Sequence, residues 1–144
     1  MKFIFEEDSQ RNEVIVRAPC KTPIIEEIEK LIQNSRSELI GYKDREAVKL
    51  DISEVFCFIS ENNRIYALTE SEKYLVKQRL YQLEEKIDGN FIKINQSCIA
   101  NITKIKKFKA SFSGSLSVVF KNGYTDYVSR RNVKSIKERL GIRL

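Results

Sequence analysis

The side chains of this sequence that could do chemistry are mostly amides, hydroxyls and cationic groups. Its 144 residues include no histidine, which excludes Ser-His-Asp and Cys-His catalysis and removes the commonest metal ligand. The three cysteines, Cys20, Cys57 and Cys98, lie too far apart in the chain for a zinc site. Five scattered glycines form no phosphate-binding loop. We therefore expect no catalytic residue, metal, cofactor or small-molecule substrate.

Positive charge is concentrated in the last third of the chain. Residues 91–144 hold 12 basic and 2 acidic side chains, whereas residues 37–90 hold 8 basic and 11 acidic ones. Neutralising phosphates releases counterions, so a concentrated positive field is typical of a protein that binds a polyanion. A basic surface that only keeps the protein soluble explains the same counts, and the sequence leaves that alternative open.

Length and composition predict one soluble domain with a short N-terminal addition. A chain that is 42% hydrophobic and 32% charged is ordinary for a globular protein. No apolar run approaches the ~18 residues needed to span a bilayer, so we expect no membrane insertion. The sparse cysteines and the early acidic residues, which do not suit a signal peptide, indicate the cytoplasm.

Residues 1–36 are predicted to form a short strand-helix segment. Residues 3–5 and 13–17 are candidate strands, the second because it is rich in β-branched side chains. Thr22-Pro23 is a helix start, and apolar residues recur at helical spacing from there to about residue 34, followed by a linker at residues 35–37. The apolar helix face either packs on nearby parts of the chain or serves as a dimer or partner contact.

Residues 38–144 alternate short apolar runs with turns, which predicts a mostly β fold with two or three short helices. The predicted strands cover residues 38–42, 47–50, 55–59, 64–68, 73–76, 116–120 and 124–128, with further apolar runs at 91–94 and 98–102. A helical turn is expected at residues 51–54 and helices at 77–87 and 133–140, the last capped by Asn132. Asn122-Gly123 between two β-rich runs predicts a hairpin, because both residues tolerate positive φ.

Two motifs at a specific separation resemble a known family. The pattern FIKINQSCIANITKIKKF, then a hairpin, then VSRRNVKSIKERL is similar to the LytTR-type DNA-binding domain, the output module of many bacterial LytR/AlgR-class transcription regulators. The resemblance runs from about Leu39 to Leu144 and predicts a DNA-binding domain over residues 38–144. It implies an elongated arrangement of small antiparallel sheets that binds double-stranded promoter DNA.

The resemblance also implies how the protein is used. The family recognises paired direct repeats, so two molecules are expected on one promoter, with a homodimer as one option. The family often carries a receiver domain ahead of the DNA-binding part, and 36 residues cannot hold one. Control is then expected to come from abundance, from the N-terminal segment or from an unidentified regulatory partner.

By the same resemblance, loops read two successive major grooves and the minor groove between them. The base contacts then fall at Asn63, Gln96 and Arg131. An amide can pair with an adenine or with a minor-groove edge, and a guanidinium is the preferred partner of guanine O6 and N7. The residues expected to contact the DNA backbone are Arg64, Asn95, Ser97, Lys106, Lys107, Ser129, Arg130 and Asn132.

Each site has a purely structural alternative. Asn63 suits an ordinary hairpin loop, Gln96 a turn whose side chains satisfy local backbone groups, and Arg131 a helix-end contact. At the level of function, the alternative is a non-catalytic interaction or dimerisation module, an antagonist of a related regulator with weak non-specific nucleic-acid binding. Its support is the missing histidine that some members carry where this chain has Asn63.

Single-stranded RNA binding is a third and weaker interpretation. Aromatic side chains that could stack on bases are Phe91, Phe108, Phe112, Phe120, Tyr124 and Tyr127. Their spacing fits core positions better, and the sequence has no RNP-type motif. We therefore expect these aromatic residues to be buried.

Overall fold

The computed structural model describes residues 2–8, 10, 13–87 and 89–144. Within them the strands are β1 (Glu38–Lys43), β2 (Glu46–Asp51), β3 (Cys57–Glu61), β4 (Arg64–Leu68), β5 (Lys73–Val76), β6 (Phe91–Asn95), β7 (Cys98–Asn101), β8 (Ile105–Ala110), β9 (Leu116–Phe120) and β10 (Thr125–Val128). The helices are α1 (Pro23–Ser37), α2 (Leu80–Lys86) and α3 (Arg130–Leu140), and 3-10 turns occupy Ile52–Glu54 and Ile102–Lys104. The chain divides into two compact units, residues 1–33 and 34–144.

The strands of the larger unit form two antiparallel sheets. The first has seven strands in the order β2-β1-β5-β4-β3-β7-β6, and the second has three in the order β10-β9-β8. Short hairpins connect β1 with β2, β3 with β4, β6 with β7, β8 with β9 and β9 with β10. The prediction of a mostly β fold made of antiparallel sheets is confirmed.

The neighbouring strands β3 and β7 are buried on both faces, because a hydrophobic cluster covers each side. Successive side chains of a strand point to opposite faces. Phe58 and Ile99 enter the cluster that contains Leu83 of α2, whereas Cys57 and Cys98 enter the cluster that contains the three-stranded sheet and α3. This double coverage explains why both strands read as continuous apolar runs rather than as alternating ones.

Most predicted elements of the larger unit are found with small changes of boundary. The strands at 64–68 and 73–76 have the predicted bounds. The strand predicted from Val55 begins instead at Cys57, because Val55 ends the preceding 3-10 turn. The last helix begins at Arg130, three residues early, so the prediction that Asn132 caps it is wrong and Ser129 holds the N-cap position.

The N-terminal unit differs more from the prediction. Residues 3–5 and 13–17 form no strands, and Phe3 is 91% exposed. An isolated two-stranded pair is marginal in water, so β-branched residues alone do not make a hairpin there. Helix α1 starts at Pro23 as predicted but continues to Ser37, through the residues predicted to be a linker. No glycine or proline lies between residues 33 and 37 to end it.

Candidate nucleic-acid interface

The first predicted base contact, Asn63, lies at the tip of the hairpin between β3 and β4. Asn62 and Asn63 have φ values of 51° and 61°, the left-handed conformation that a two-residue type I′ turn requires and that asparagine tolerates. Glu61 pairs with Arg64 directly below the turn. Asn62, Asn63 and Arg64 are all exposed, so the Asn63 amide and the Arg64 guanidinium are accessible to a ligand.

The second contact, Gln96, lies in the turn between β6 and β7, and a buried asparagine fixes that turn. Asn95 is 1% exposed. Its Oδ1 accepts the Ser97 backbone N–H at 2.8 Å, and its Nδ2 donates to the Tyr127 carbonyl at 2.8 Å and to Asp126 Oδ1 at 3.0 Å. Asn95 is therefore a structural residue whose hydrogen-bonding atoms are occupied, in contrast to its predicted contact with the DNA backbone. Gln96 and Ser97 are exposed above it.

The third contact, Arg131, lies in the first turn of α3, which is attached to strand β6. The Ser129 N–H donates to the Ile94 carbonyl at 2.8 Å. The Asn132 amide donates to the Lys93 and Ile94 carbonyls, each at 3.3 Å. Asn132 thus positions the helix start instead of capping it. Arg130 and Arg131 are exposed there, beside the partial positive charge of the helix N-terminus.

The strand register brings the three tips to one end of the seven-stranded sheet. Ile59 pairs with Cys98, and the Ser60 N–H donates to the Ser97 carbonyl at 2.8 Å, which places the two hairpin turns side by side. The Ser129 to Ile94 hydrogen bond adds the start of α3 next to them. We call this end, with the turns at residues 62–63 and 96–97 and the start of α3, the tip end.

The opposite end of the sheet, which we call the far end, carries the two 3-10 turns and the hairpin turn at residues 121–123. Lys121 Nζ donates to the Thr103 carbonyl at 3.0 Å, and Asn122 Nδ2 donates to the Thr69 carbonyl at 2.9 Å. Lys104 Nζ lies 5.3 Å from the centre of the Phe56 ring. These three side chains already interact with other groups of the protein. The lysines at the far end are therefore less available to a ligand than exposed, unpaired lysines would be.

The lysines of β8 form an exposed edge between the two ends. β8 starts at Ile105, opposite Phe120 near the far end, and finishes at Ala110, opposite Leu116. Lys106 and Lys107 are both exposed, which makes them accessible to a polyanion. They lie along the side of the three-stranded sheet and are not part of the tip end.

Sequence reasoning missed Asp126, which supports the tip end from below. Its carboxylate accepts hydrogen bonds from Asn95 Nδ2 and from the Tyr124 hydroxyl, the latter at 2.9 Å. Burial and the neighbouring Asp126 carboxylate raise the pKa of Tyr124 above its ordinary value. The sequence gives only a weak signal for this role of Asp126. The residue is one of only two acidic residues in the basic C-terminal third.

Two of the six aromatic residues expected in the core are exposed instead. Phe112 is 114% exposed and Tyr127 is 60% exposed, whereas Phe91 and Phe120 are buried as expected. Phe112 lies in the turn between β8 and β9, where strand alternation no longer governs which side chains point inward.

The described residues contain no group of three or more potential metal-binding side chains. No helix among residues 2–8, 10, 13–87 and 89–144 has the length and apolar character needed to cross a bilayer.

Comparison with known proteins identifies the family of this chain. The sequence profile of the LytTr DNA-binding domain family matches residues 45–141. An uncharacterized HTH-type transcriptional regulator of Staphylococcus aureus strain NCTC 8325 is 38% identical over 104 residues, which cover 72% of this chain and 71% of the relative. Its counterpart in the bovine strain RF122 is 39% identical over the same length and the same shares of the two chains.

A solved structure shares the fold. The LytTr DNA-binding domain of a Bacillus cereus protein superimposes with a TM-score of 0.69 at 20% identity, covering 74% of this chain and 98% of that domain. The profile match covers more than half of the chain, and the relatives exceed 30% identity over more than two thirds of it. The chain therefore belongs to the LytTr DNA-binding domain family.

Proposed function

We propose that the protein is a bacterial transcriptional regulator that works in the cytoplasm and binds specific duplex-DNA sequences through its tip end, without catalysis. The observation that carries this proposal is the convergence of three exposed polar tips, at Asn63, Gln96 and Arg131, on one end of one sheet. Each side chain has the chemistry to recognise a base edge. None of the three has a side-chain hydrogen bond recorded among the described residues, so each is available for an external partner.

The proposed roles follow from position and chemistry. Arg131 pairs with a guanine in a major groove, Gln96 contacts the minor groove beside it, and Asn63 pairs with an adenine in the next major groove. Ser97, Ser129, Arg64 and Arg130 surround these tips and contact phosphates. Lys106 and Lys107 bind more distant phosphates along β8. Asn95 and Asn132 are left out of the contacting set, because their amides hold the tips in place.

The absence of a helix-turn-helix unit from the described residues supports reading by tips. Five strands lie between α2 and α3 in the chain. The two helices therefore do not form the consecutive pair of a helix-turn-helix unit. Spanning successive grooves favours bending of the DNA. We propose that two molecules occupy direct repeats in one promoter, and that residues 1–33 contribute a contact to a second copy or to a regulatory partner.

A second candidate function, a non-catalytic interaction module, is favoured by the apolar side chains of the N-terminal unit. Phe3, Phe5 and Leu31 are 91%, 78% and 70% exposed. These exposed apolar side chains suit contact with a protein partner, but an interaction module leaves the exposed polar residues at the tip end without a role.

Selection of bound fragments from a pool of random duplex DNA tests the primary proposal. On a selected duplex, Arg131→Ala should weaken binding by about 1–3 kcal/mol and relax the preference at one base pair. Lys107→Ala should weaken all duplexes alike and lower the slope of log affinity against log salt by about one. Lys121→Ala is the matched control, because this lysine is already bound to the Thr103 carbonyl at the far end.

The outcomes separate the two candidate functions. Equal losses for Arg131→Ala on every duplex would contradict base reading by that residue. No salt-dependent binding of any duplex by the unmodified protein would favour the interaction module.

A further inference from the structure

The turn between β8 and β9, residues 111–115, presents a fully exposed aromatic ring on an ordered support. The Ser111 N–H donates to the Ser115 carbonyl at 2.9 Å, and the Gly114 N–H donates to the Ser111 carbonyl at 3.1 Å. Gly114 has a φ of 85°, which closes the turn in a conformation that other residues rarely adopt. Phe112, between these bonds, is 114% exposed. A structured turn therefore displays this ring outward.

Hydroxyl groups surround the base of the same turn. Ser111 Oγ lies 2.7 Å from Ser113 Oγ and 2.5 Å from Ser115 Oγ. Serine hydroxyls are small and able to bond to phosphate oxygens or sugars. The turn thus combines three clustered hydroxyl groups with one exposed aromatic ring.

Strand register places this turn at the same end of the larger unit as the other tips. Ala110 and Leu116, which flank the turn, pair with each other, and Leu116 pairs in turn with Val128. The residue after Val128 is Ser129, whose N–H donates to the Ile94 carbonyl at the tip end. Because adjacent strands lie about 4.8 Å apart, the turn begins roughly 10 Å across the three-stranded sheet from the start of α3.

The electrostatic surroundings match nucleic acid. No aspartate or glutamate occurs between residues 89 and 125, and Lys109, two residues before the turn, is exposed. The turn offers two kinds of group to a ligand. Its cationic and hydroxyl groups suit a phosphate backbone, and its protruding aromatic ring suits stacking on an apolar layer. A duplex base step supplies both.

Resting on the proposed function, we infer that the turn at residues 111–115 is a fourth DNA-contacting tip and that Phe112 is a wedge. The ring enters the minor groove beside the segment read by Arg131 and inserts partly between two base pairs. Lys109, and serine hydroxyls that give up their mutual hydrogen bonds, contact the flanking phosphates. Insertion opens the step and bends the duplex away from the wedge, towards the major groove.

A fluorescent duplex tests the wedge. A 30-base-pair duplex selected from the random pool is prepared with 2-aminopurine at successive positions, since unstacking of that base raises its fluorescence. The unmodified full chain should raise the signal at one step. Phe112→Ala should abolish that rise, weaken binding about 10-fold, and reduce the bend measured by end-to-end energy transfer. Phe112→Trp should keep all three effects.

Controls separate the wedge from folding and from general hydrophobicity. Tyr81→Ala removes another exposed aromatic residue, 61% exposed on α2, and should leave binding and fluorescence unchanged. The thermal unfolding midpoint of Phe112→Ala should match that of the unmodified protein, because the ring is fully exposed.

The inference and the proposed function fail in different ways. If Phe112→Ala keeps the affinity, bend and fluorescence of the unmodified protein while Arg131→Ala loses base preference, only the wedge is overturned. A loss of affinity with an unchanged fluorescence pattern, or a loss of self-association instead, also overturns it. If the unmodified protein selects no duplex at all, the proposed function itself is wrong.

Discussion

The two ends of the seven-stranded sheet share one structural feature, a buried asparagine that fixes the adjacent turn, but they differ in the side chains around it. A buried asparagine stands at each end of the β6–β7 hairpin, Asn95 at the tip end and Asn101 at the far end, and both are 1% exposed. Each accepts the N–H of the residue two positions later and donates its amide to distant carbonyls, those of Tyr127 and Val55 respectively, at 2.8 Å.

What differs is the use of the side chains that follow. At the far end, the Thr103 hydroxyl donates back to Asn101 Oδ1 at 2.7 Å, and Lys121 and Asn122 bind backbone carbonyls. At the tip end, the Gln96 side chain is exposed. Under the proposed function, the comparison teaches that a rigid turn serves as a recognition tip when its outer polar groups have no internal partners among the described residues.

The largest expected effect comes from removing the buried hydrogen bonds of Asn101 at the far end. Asn101→Ala should lower the free energy of unfolding by about 2–4 kcal/mol, because buried carbonyl and N–H groups lose their partner. Urea denaturation measures this loss. Gln96→Ala is the counterpart at the tip end and should change stability by less than about 0.5 kcal/mol while weakening DNA binding. Equal destabilisation by both variants would remove the distinction between the ends.

A smaller effect is expected at the Asn62–Asn63 turn. Asn63→Gly keeps the left-handed backbone and removes only the amide, so it should weaken binding of a selected duplex by about 1–2 kcal/mol and leave stability almost unchanged. Asn62→Gly, with the same change at the neighbouring left-handed residue, is the matched control and should bind normally. Titration by fluorescence anisotropy compares them. Indistinguishable affinities for these two variants would argue against base contact by Asn63.

The smallest effect concerns pH and the support beneath the tips. The folded protein raises the pKa of Tyr124 above the ordinary value of 10.0. Above about pH 10 the unfolded chain therefore loses this proton first, and the free energy of unfolding should fall as pH rises. Tyr124→Phe should reduce that fall. Between pH 6 and 9, duplex affinity at constant salt should stay nearly flat, since the chain has no histidine; a steep change there would show that another group titrates at the interface.

The sequence allows prediction of elements whose cause is local. The strand at residues 64–68 and the hairpin around Asn122-Gly123 follow from periodicity and turn chemistry, and both are found. The hydrogen bonds of Asn95 could not be predicted from the sequence, because its partners Asp126 and Tyr127 lie more than 30 residues away in the chain. Phe112 was expected in the core because composition does not reveal that a hydrophobic side chain sits on a turn. Long-range hydrogen bonding and exposure are the two properties that pattern alone leaves undetermined.

The attachment of the Gln96 turn to both of its neighbours has a consequence for the DNA. Backbone hydrogen bonds join this turn to the β3–β4 hairpin through Ser60 and Ser97, and to α3 through Ile94 and Ser129. These hydrogen bonds fix the distances between the three tips. If the protein reads DNA as proposed, inserting one base pair between two contacted positions of a promoter should remove one of the contacts, because the backbone hydrogen bonds hold the spacing of the tips. Among the operator sites of such a protein, the distance between the recognised bases should vary less than the bases themselves.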